Sequence, residues 1–330
     1  MSEKLIKLCF NTPLHIGLEH AGIGYEETAY SIHSDQFFSA ICNAFLDLYG
    51  ENELEKFLKN IEDNNFKATD LFPFVKDKYY VPTPLYPPHK ETQEQQKKKK
   101  FTRKNRPLFI CVDDFENYLA GQHNELIENE ELKNNIEKEI IIQNIPHVAI
   151  KDVSEKNKED ENYSQGEFYH YATVTFPENS GLWCLINTND DIFIRIKACI
   201  KYLGDEGIGG KRSWGYGQFI SDFDCKDEPL KKLYSEDKEV YYLLSTLIPE
   251  DAAKYDFNNT YYELIPRRGW LYDNRVPTGE PKKTIYAFAS GSVFEEEIKG
   301  KALVNIHPDD EKKCYRLGQE YFIKIKVSRQ

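Results

Sequence analysis

No run of apolar residues in this sequence approaches the roughly 18 that a membrane-spanning helix needs, so no membrane partner is expected. The opening Met1-Ser-Glu-Lys passes straight into a strand-like pattern without the charged and then apolar stretch of a secretory leader, and a cytoplasmic location is expected. Cysteine is sparse. The seven residues, at 9, 42, 111, 184, 199, 225 and 314, are scattered and odd in number. No two are spaced as Cys-x-x-Cys, which argues against structural zinc and against a disulfide framework. No metal and no cofactor are expected. Positive charge is also in deficit, with 43 Lys and Arg against 55 Asp and Glu and a net charge of −12. A free nucleic-acid binder ordinarily carries a basic footprint, so the deficit counts against one. It does not count against a subunit that binds a polyanion along one groove and protein elsewhere.

The charge is polarised. Residues 97–106 carry seven cations and no acid, whereas 125–139 and 152–161 are acid-rich. The basic run from His89 to Arg106 is low in complexity and admits two readings: a solvated loop, or an arm that closes on phosphates with salt-sensitive affinity.

What the sequence has in abundance is glycine in one place. Six of its eighteen glycines fall within 204–219. Glycine at that density permits positive φ and close backbone approach. The window also holds Lys211, Arg212, Ser213 and Trp214, a set suited to a polyanion, with amides and cations on phosphates and a ring under a base. Two familiar glycine motifs do not fit. A Walker A loop begun at Gly204 meets Gly210 where lysine is required, and a dinucleotide fingerprint begun at Gly207 meets Arg212 where its third glycine belongs. The order of elements is also wrong for both. Asp190 and Asp191 are helix-start signals, and Ile192, Ile196, Ile200 and Leu203 form one apolar face before the loop. Phe219 to Phe223 after it reads as a strand.

Elsewhere, Leu5 to Phe10 reads as a strand. Ser34 is a candidate N-cap, Asp35 suits the positive end of the helix dipole, and Phe37, Phe38, Ile41, Phe45 and Leu48 form an apolar stripe ended by Gly50. The run His33-Ser34-Asp35 is not a catalytic triad, because consecutive residues at a helix start diverge. A second amphipathic helix and turn are expected over 51–72. Lys78 to Pro88 is punctuated by proline and is at most an edge strand. Residues 112–142 read as a charged helix. Ile145 to Ser154 and Gly166 to Phe176 alternate around a polar turn, as in a long β-hairpin. Leu182 to Ile186 reads as a buried strand. The order up to Phe223 suits a ferredoxin-like βαββαβ sandwich. From Asp224 onward many short β-like runs suggest a second, degenerate domain. The expected fold is α+β: tandem ferredoxin-like (RRM-like) domains over 1–223 and 224–330, with an insertion at about 78–180.

Gly207-Ile-Gly-Gly-Lys-Arg-Ser-Trp-Gly-Tyr-Gly-Gln-Phe219 resembles the glycine-rich loop of the RAMP superfamily, the ferredoxin-like RNA-binding proteins of CRISPR systems. Ile32-His-Ser-Asp-Gln-Phe-Phe-Ser-Ala-Ile41, the hairpin, and the pair Arg267-Arg-Gly-Trp270 and Gly291-Ser-Val-Phe294 are similar to the group formed by the fourth Csm subunit of type III-A complexes. In that group the hairpin is a thumb set against the guide RNA. Here Lys151 and Asp152 stand where Asp and Arg belong, so His147 and Lys151 are either guide contacts or plain exposed strand residues.

The resemblance implies a non-catalytic scaffold that holds the 5′ handle of CRISPR RNA (crRNA) and docks the large Cas-ten subunit and the third Csm subunit of the backbone. The residues expected on RNA are Gly207, Gly209, Gly210, Lys211, Arg212, Ser213 and Trp214, then His33, Ser34, Arg267 and Arg268. Trp214 also fits a wedge between layers. A second reading is a metal-independent repeat endoribonuclease using His15, His20 or His33 as general acid or base. A third is a purely protein-binding assembly subunit.

Overall fold

The computed structural model of the chain describes residues 1–18, 25–86, 107–120, 136, 139–149, 167–225, 228–234, 240–271 and 280–327. Its centre is β1 (Ser2–Phe10) paired antiparallel with β8 (Ser180–Thr188) on one side and β9 (Phe219–Asp222) on the other. The sheet continues from β8 through β3 (Phe72–Val75), β4 (Lys78–Pro82) and β5 (Phe109–Cys111), and β2 (Phe66–Ala68) also pairs with β8. β4 is therefore interior, bonded to β3 and to β5, and not the edge strand its prolines suggest. The tolerance has a positional cause. Pro82 is the strand's last residue, so the ladder through Tyr80 and Val81 keeps its donors.

Both faces of this sheet are covered, and the alternation of side chains along its strands shows how. On β1, Ile6, Leu8 and Phe10 point into one core while Leu5 points into another; on β8, Leu182, Cys184 and Ile186 oppose Trp183 and Leu185 in the same way. The first core lies under α1 (Ser34–Tyr49), α2 (Glu51–Glu62) and α4 (Asp190–Glu206). The apolar stripes of α1 and α4 follow the expected ones, with Phe37, Phe38, Ile41 and Phe45 buried on one and Ile196, Ile200 and Leu203 on the other, but Leu48, expected on the first, is 42% exposed. Asn189 caps α4 by accepting from the Ile192 amide at 2.9 Å. Of the charged helix expected over 112–142, residues 121–135, 137 and 138 lie outside the described residues, and at its two ends the chain takes other forms. A 3-10 turn at Val112–Asp114 leads into the short α3 (Phe115–Leu119), and by Ile141 the chain is extended in β6 (Ile141–Ala149). β6 pairs with β7 (Glu167–Thr175) along its whole length, which is the expected hairpin with an earlier start.

The second core lies between the back of the sheet and the C-terminal half. There β10 (Val240–Leu243) is flanked by β13 (Val293–Phe294) and β16 (Phe322–Ile325), and its Val240 and Tyr242 pack with Phe74, Trp183, Ile323 and Ile325. Two further antiparallel pairs complete this half: β11 (Leu264–Arg267) with β12 (Ile285–Phe288), and β14 (Lys301–Asn305) with β15 (Tyr315–Gly318). Among the described residues of 240–327 there is no α-helix. The architecture is mixed α/β with several antiparallel sheets, and the two halves share a core.

The start of α1 fastens the two halves with polar bonds as well. His33, not Ser34, is the N-cap, in extended conformation, and its amide is accepted by the Gln36 side chain at 3.3 Å. Ser34 is fully buried: its amide donates to Asp70 at 2.7 Å, and its hydroxyl accepts from the Thr246 amide at 3.0 Å. His33 Nδ1 lies 3.1 Å from the Asp70 carboxylate and 3.1 Å from the Thr246 hydroxyl. Asp35 receives Arg267 in a bidentate bond at 2.8 and 3.1 Å, and Arg316 bonds to the same carboxylate. Asp35 thus serves as the anion between two guanidiniums, a role its position at a helix start did not disclose.

Candidate nucleic-acid interface

The glycine loop leaves α4 at Glu206 and reaches β9 at Phe219. It is not slack. The Ile208 amide bonds to the Gly217 carbonyl at 3.0 Å, the Gly210 amide to His15 at 2.9 Å and the Gly217 amide to Pro13 at 2.8 Å. Trp214 and Gly215 donate back to Lys211 and Arg212. These amides are engaged within the chain, so the glycines shape the loop instead of supplying a row of phosphate donors.

Several glycines of this stretch are sterically required: at Gly204, Gly207 and Gly209 a Cβ would stand 2.5, 2.4 and 2.3 Å from a backbone carbonyl oxygen, and Gly217 and Gly210 are as constrained. At Gly217, φ is +76° and a Cβ would stand 1.9 Å from the Ile208 carbonyl oxygen. At Gly210 a Cβ would stand 2.6 Å from the Tyr171 hydroxyl and 2.9 Å from the His15 ring. A Gly217→Ala chain is expected to lose about 2 kcal/mol or more, since backbone must move and the left-handed conformation disfavours a side chain; a urea melt compared with the parent checks this.

The loop tip places Lys211 in the left-handed region (φ 58°) with its ammonium among three rings. Nζ is 4.4 Å from the centroid of Trp214, 5.4 Å from Tyr171 and 5.5 Å from Tyr25. Among the described residues no carboxylate pairs with it. Rings hold the ammonium through their quadrupoles while leaving its charge uncancelled. Trp214 is 45% exposed, so it is not a wedge between layers. Arg212 and Ser213 lie beside it in a short 3-10 turn, and with Gly207 and Gly209 they line a second cavity of about 810 Å³ between α1 and α4.

The hairpin closes the other side. Odd-numbered residues of β6 and β7 share one face, and His147, Tyr169 and Tyr171 lie on it. His147 lies over Tyr169 at 5.5 Å and against Trp214 at 5.0 Å. Its Nε2 is buried and has no hydrogen-bond partner among the described residues. Tyr171 packs on His15 at 4.2 Å. Beneath Lys211 a cavity of about 450 Å³ is lined by His15, Tyr25, Gln36, Phe37, Tyr171 and Gly210. Burial, with the Lys211 charge adding to it, pushes the His15 imidazole below its ordinary pKa. Burial among Tyr25, Tyr216 and Tyr169 raises that of the Tyr171 phenol.

The expected residues therefore divide. The glycines, Lys211, Arg212, Ser213, Trp214 and His147 come together. Ser34 and Arg267 do not join them: both are buried in the polar junction between the halves, and Arg267 is only 2% exposed. His33 belongs to that junction with its side chain about one-third exposed, and the Arg268 carbonyl accepts from Arg316. Lys151, His20 and the basic run of 89–106 lie outside the described residues. Sequence reasoning missed Tyr25, Tyr169, Tyr171 and Gln36 as neighbours of the loop. The alternation of Tyr169 and Tyr171 along one strand was the available signal; nothing local marked Tyr25.

Residues 7–220 match the RAMP superfamily, and residues 236–325 match the CRISPR Csm4 C-terminal domain. The chain belongs to the RAMP superfamily. Within it the resemblance is to Csm4 throughout. A protein of Streptococcus thermophilus named CRISPR system Cms protein Csm4 is 27% identical over 301 residues, spanning 88% of this chain and 90% of the relative. One of the same name in Methanocaldococcus jannaschii is 28% identical, spanning 91% and 87%. Among solved structures, a chain of the Csm3-Csm4 subcomplex in the type III-A CRISPR-Cas interference complex superposes with a TM-score of 0.62 at 21% identity, covering 99% of this chain and all of that one. A chain of a Csm1-Csm4 cassette in complex with pppApA gives 0.61 at 17% identity with full coverage of both. At these identities the superpositions speak for the fold. In this RAMP chain the matched N-terminal region contains the glycine loop, the hairpin and both cavities.

Proposed function

We propose that this RAMP protein is a non-catalytic RNA-binding subunit of a type III-A CRISPR interference complex. It holds the 5′ handle of crRNA across the glycine loop and hairpin, and docks a Csm1-type large (Cas-ten) subunit and a Csm3-type backbone subunit. The observation that carries the RNA reading is the ring-held Lys211, an ammonium without a described carboxylate partner, set at the mouth of a cavity. Trp214, His147 and Tyr169 beside it offer stacking faces, and single-stranded RNA is held by such faces together with backbone cations. The partner assignment rests on the relatives, whose names and assemblies are those of Csm complexes. We read the N-terminal half as ferredoxin-like; the antiparallel order β3-β8-β1-β9 beneath α1 and α4 supports this. We carry no such description to the C-terminal half, where short sheets without a described helix take its place.

The direct test is incubation of the purified chain with labelled repeat RNA in the absence of added metal, followed by a native gel. A retained and intact RNA is expected. Cleavage would favour the endoribonuclease reading, and an unshifted RNA would favour a subunit that binds only protein.

A further inference from the structure

His15 takes no part in the function proposed so far, yet its ring is held in one orientation by a hydrogen bond and a ring contact. Nδ1 lies 2.7 Å from the Ala172 carbonyl oxygen. A carbonyl only accepts, so Nδ1 carries the proton and Nε2 is left as an acceptor. The ring packs on Tyr171, its residue is 5% exposed, and its own carbonyl accepts from the Gly210 amide. Burial and the nearby Lys211 both disfavour a second proton. Among the described residues no group bonds to Nε2, and His15 lines the 450 Å³ cavity beneath Lys211. A Cβ on Gly17 would lie 3.8 Å from Nε2, in ordinary contact, so that side of the ring is open because residue 17 is glycine.

The cavity thus presents a fixed acceptor next to a fixed cation. A phosphate suits the cation and is repelled by the lone pair. A hydroxyl suits the lone pair. On a nucleic-acid strand, the hydroxyl that recurs beside each phosphate is the ribose 2′-OH, and it separates RNA from DNA.

We propose that His15 Nε2 accepts a hydrogen bond from one ribose 2′-hydroxyl of the strand whose neighbouring phosphate sits on Lys211, making His15 the residue by which this site prefers RNA. The inference rests on the RNA reading of the glycine loop. His15 acts by recognition alone, and no bond is made or broken.

The test uses the full-length chain, fluorescence anisotropy, and handle-length single-stranded RNAs carrying one 2′-fluoro or one 2′-deoxy sugar at each position in turn. The 2′-fluoro sugar keeps the RNA-like pucker but lacks the hydroxyl proton. The parent chain is expected to lose roughly five-fold in affinity at one position with either sugar, as for one hydrogen bond. His15→Phe, which keeps a ring against Tyr171, and Gly17→Val, which obstructs Nε2 and leaves the Ala172 bond intact, are both expected to bind RNA at that reduced level and to be indifferent to the sugar there. Circular dichroism identifies a misfolded variant, and Gly17→Val decides should His15→Phe prove unstable. Unchanged sugar discrimination in the folded variants, or no sensitive position in the parent, overturns the inference. Lys211→Glu separates the two levels. If it weakens RNA binding while His15 variants still discriminate, only the role of His15 fails; if it leaves RNA binding intact, the glycine-loop reading fails and this inference with it.

Discussion

Asp35→Ala is expected to cost the fold about 3–5 kcal/mol, the range for removing one partner of a buried ion pair. The carboxylate is about as buried as a side chain can be, with Arg267 at 2% and Arg316 at 6% exposure around it. Truncation leaves two guanidiniums in a site from which water is excluded. It also uncouples α1 from β11 and β15, and so loosens the junction of the two halves. The urea midpoint of the variant against the parent measures the loss. A companion in which Asp35→Leu is combined with Arg267→Met and Arg316→Met should recover much of it, because apolar groups of similar volume do not demand solvation. The same pair fixes a pH dependence. Burial alone would raise the Asp35 pKa, but Arg267 and Arg316 override it and hold the carboxyl far below the usual carboxylate range. A folded-state value below the unfolded one, about 3.9, means the contribution is fully present above that pH. It is lost as the pH falls through the folded value. Denaturation midpoints should therefore show no drop from this group between neutrality and about pH 4, and a drop below it that Asp35→Ala lacks.

Lys211→Glu combined with Arg212→Glu is expected to lower affinity for handle-length RNA by roughly 100-fold or more at physiological salt, at about 1.5–3 kcal/mol for each of two charge-assisted contacts. The loss has a signature that distinguishes it from misfolding. If both cations meet phosphates, replacing each by alanine should reduce the slope of log K against log salt by about one. The fold should tolerate the change. Lys211 has no described carboxylate partner to orphan, and the loop is pinned by backbone bonds through Ile208, Gly210 and Gly217. Titrations at several salt concentrations, with urea melts of the same preparations, give both readouts.

How much of this was legible beforehand follows from how local each signal is. The stripes of α1 and α4 and the two-faced alternation of β1 and β8 are properties of neighbouring residues, and both were present in the sequence. The cations and Trp214 of the glycine loop were legible for the same reason. The ring cage was not, because it is assembled from three places: Tyr25 after β1, Tyr171 on the hairpin and Trp214 in the loop. Arg267 illustrates the opposite error. A pair of arginines beside glycine and tryptophan reads as a polyanion contact, yet its anion is Asp35, 232 positions away in the chain. A sequence cannot tell a cation waiting for a ligand from one already paired inside the fold. β4 misled in a third way, since counting prolines ignores whether they sit at a strand's end.

Ultraviolet crosslinking of guide RNA to the chain within its purified complex, with the crosslinked peptides sequenced, bears most directly on the claim that the glycine loop and hairpin grip RNA. Crosslinks are expected at Trp214 and at His147 or Tyr169, and they should vanish together in the Lys211→Glu, Arg212→Glu chain. A crosslink map confined to other segments, with guide RNA retained in full by that double variant, would contradict it.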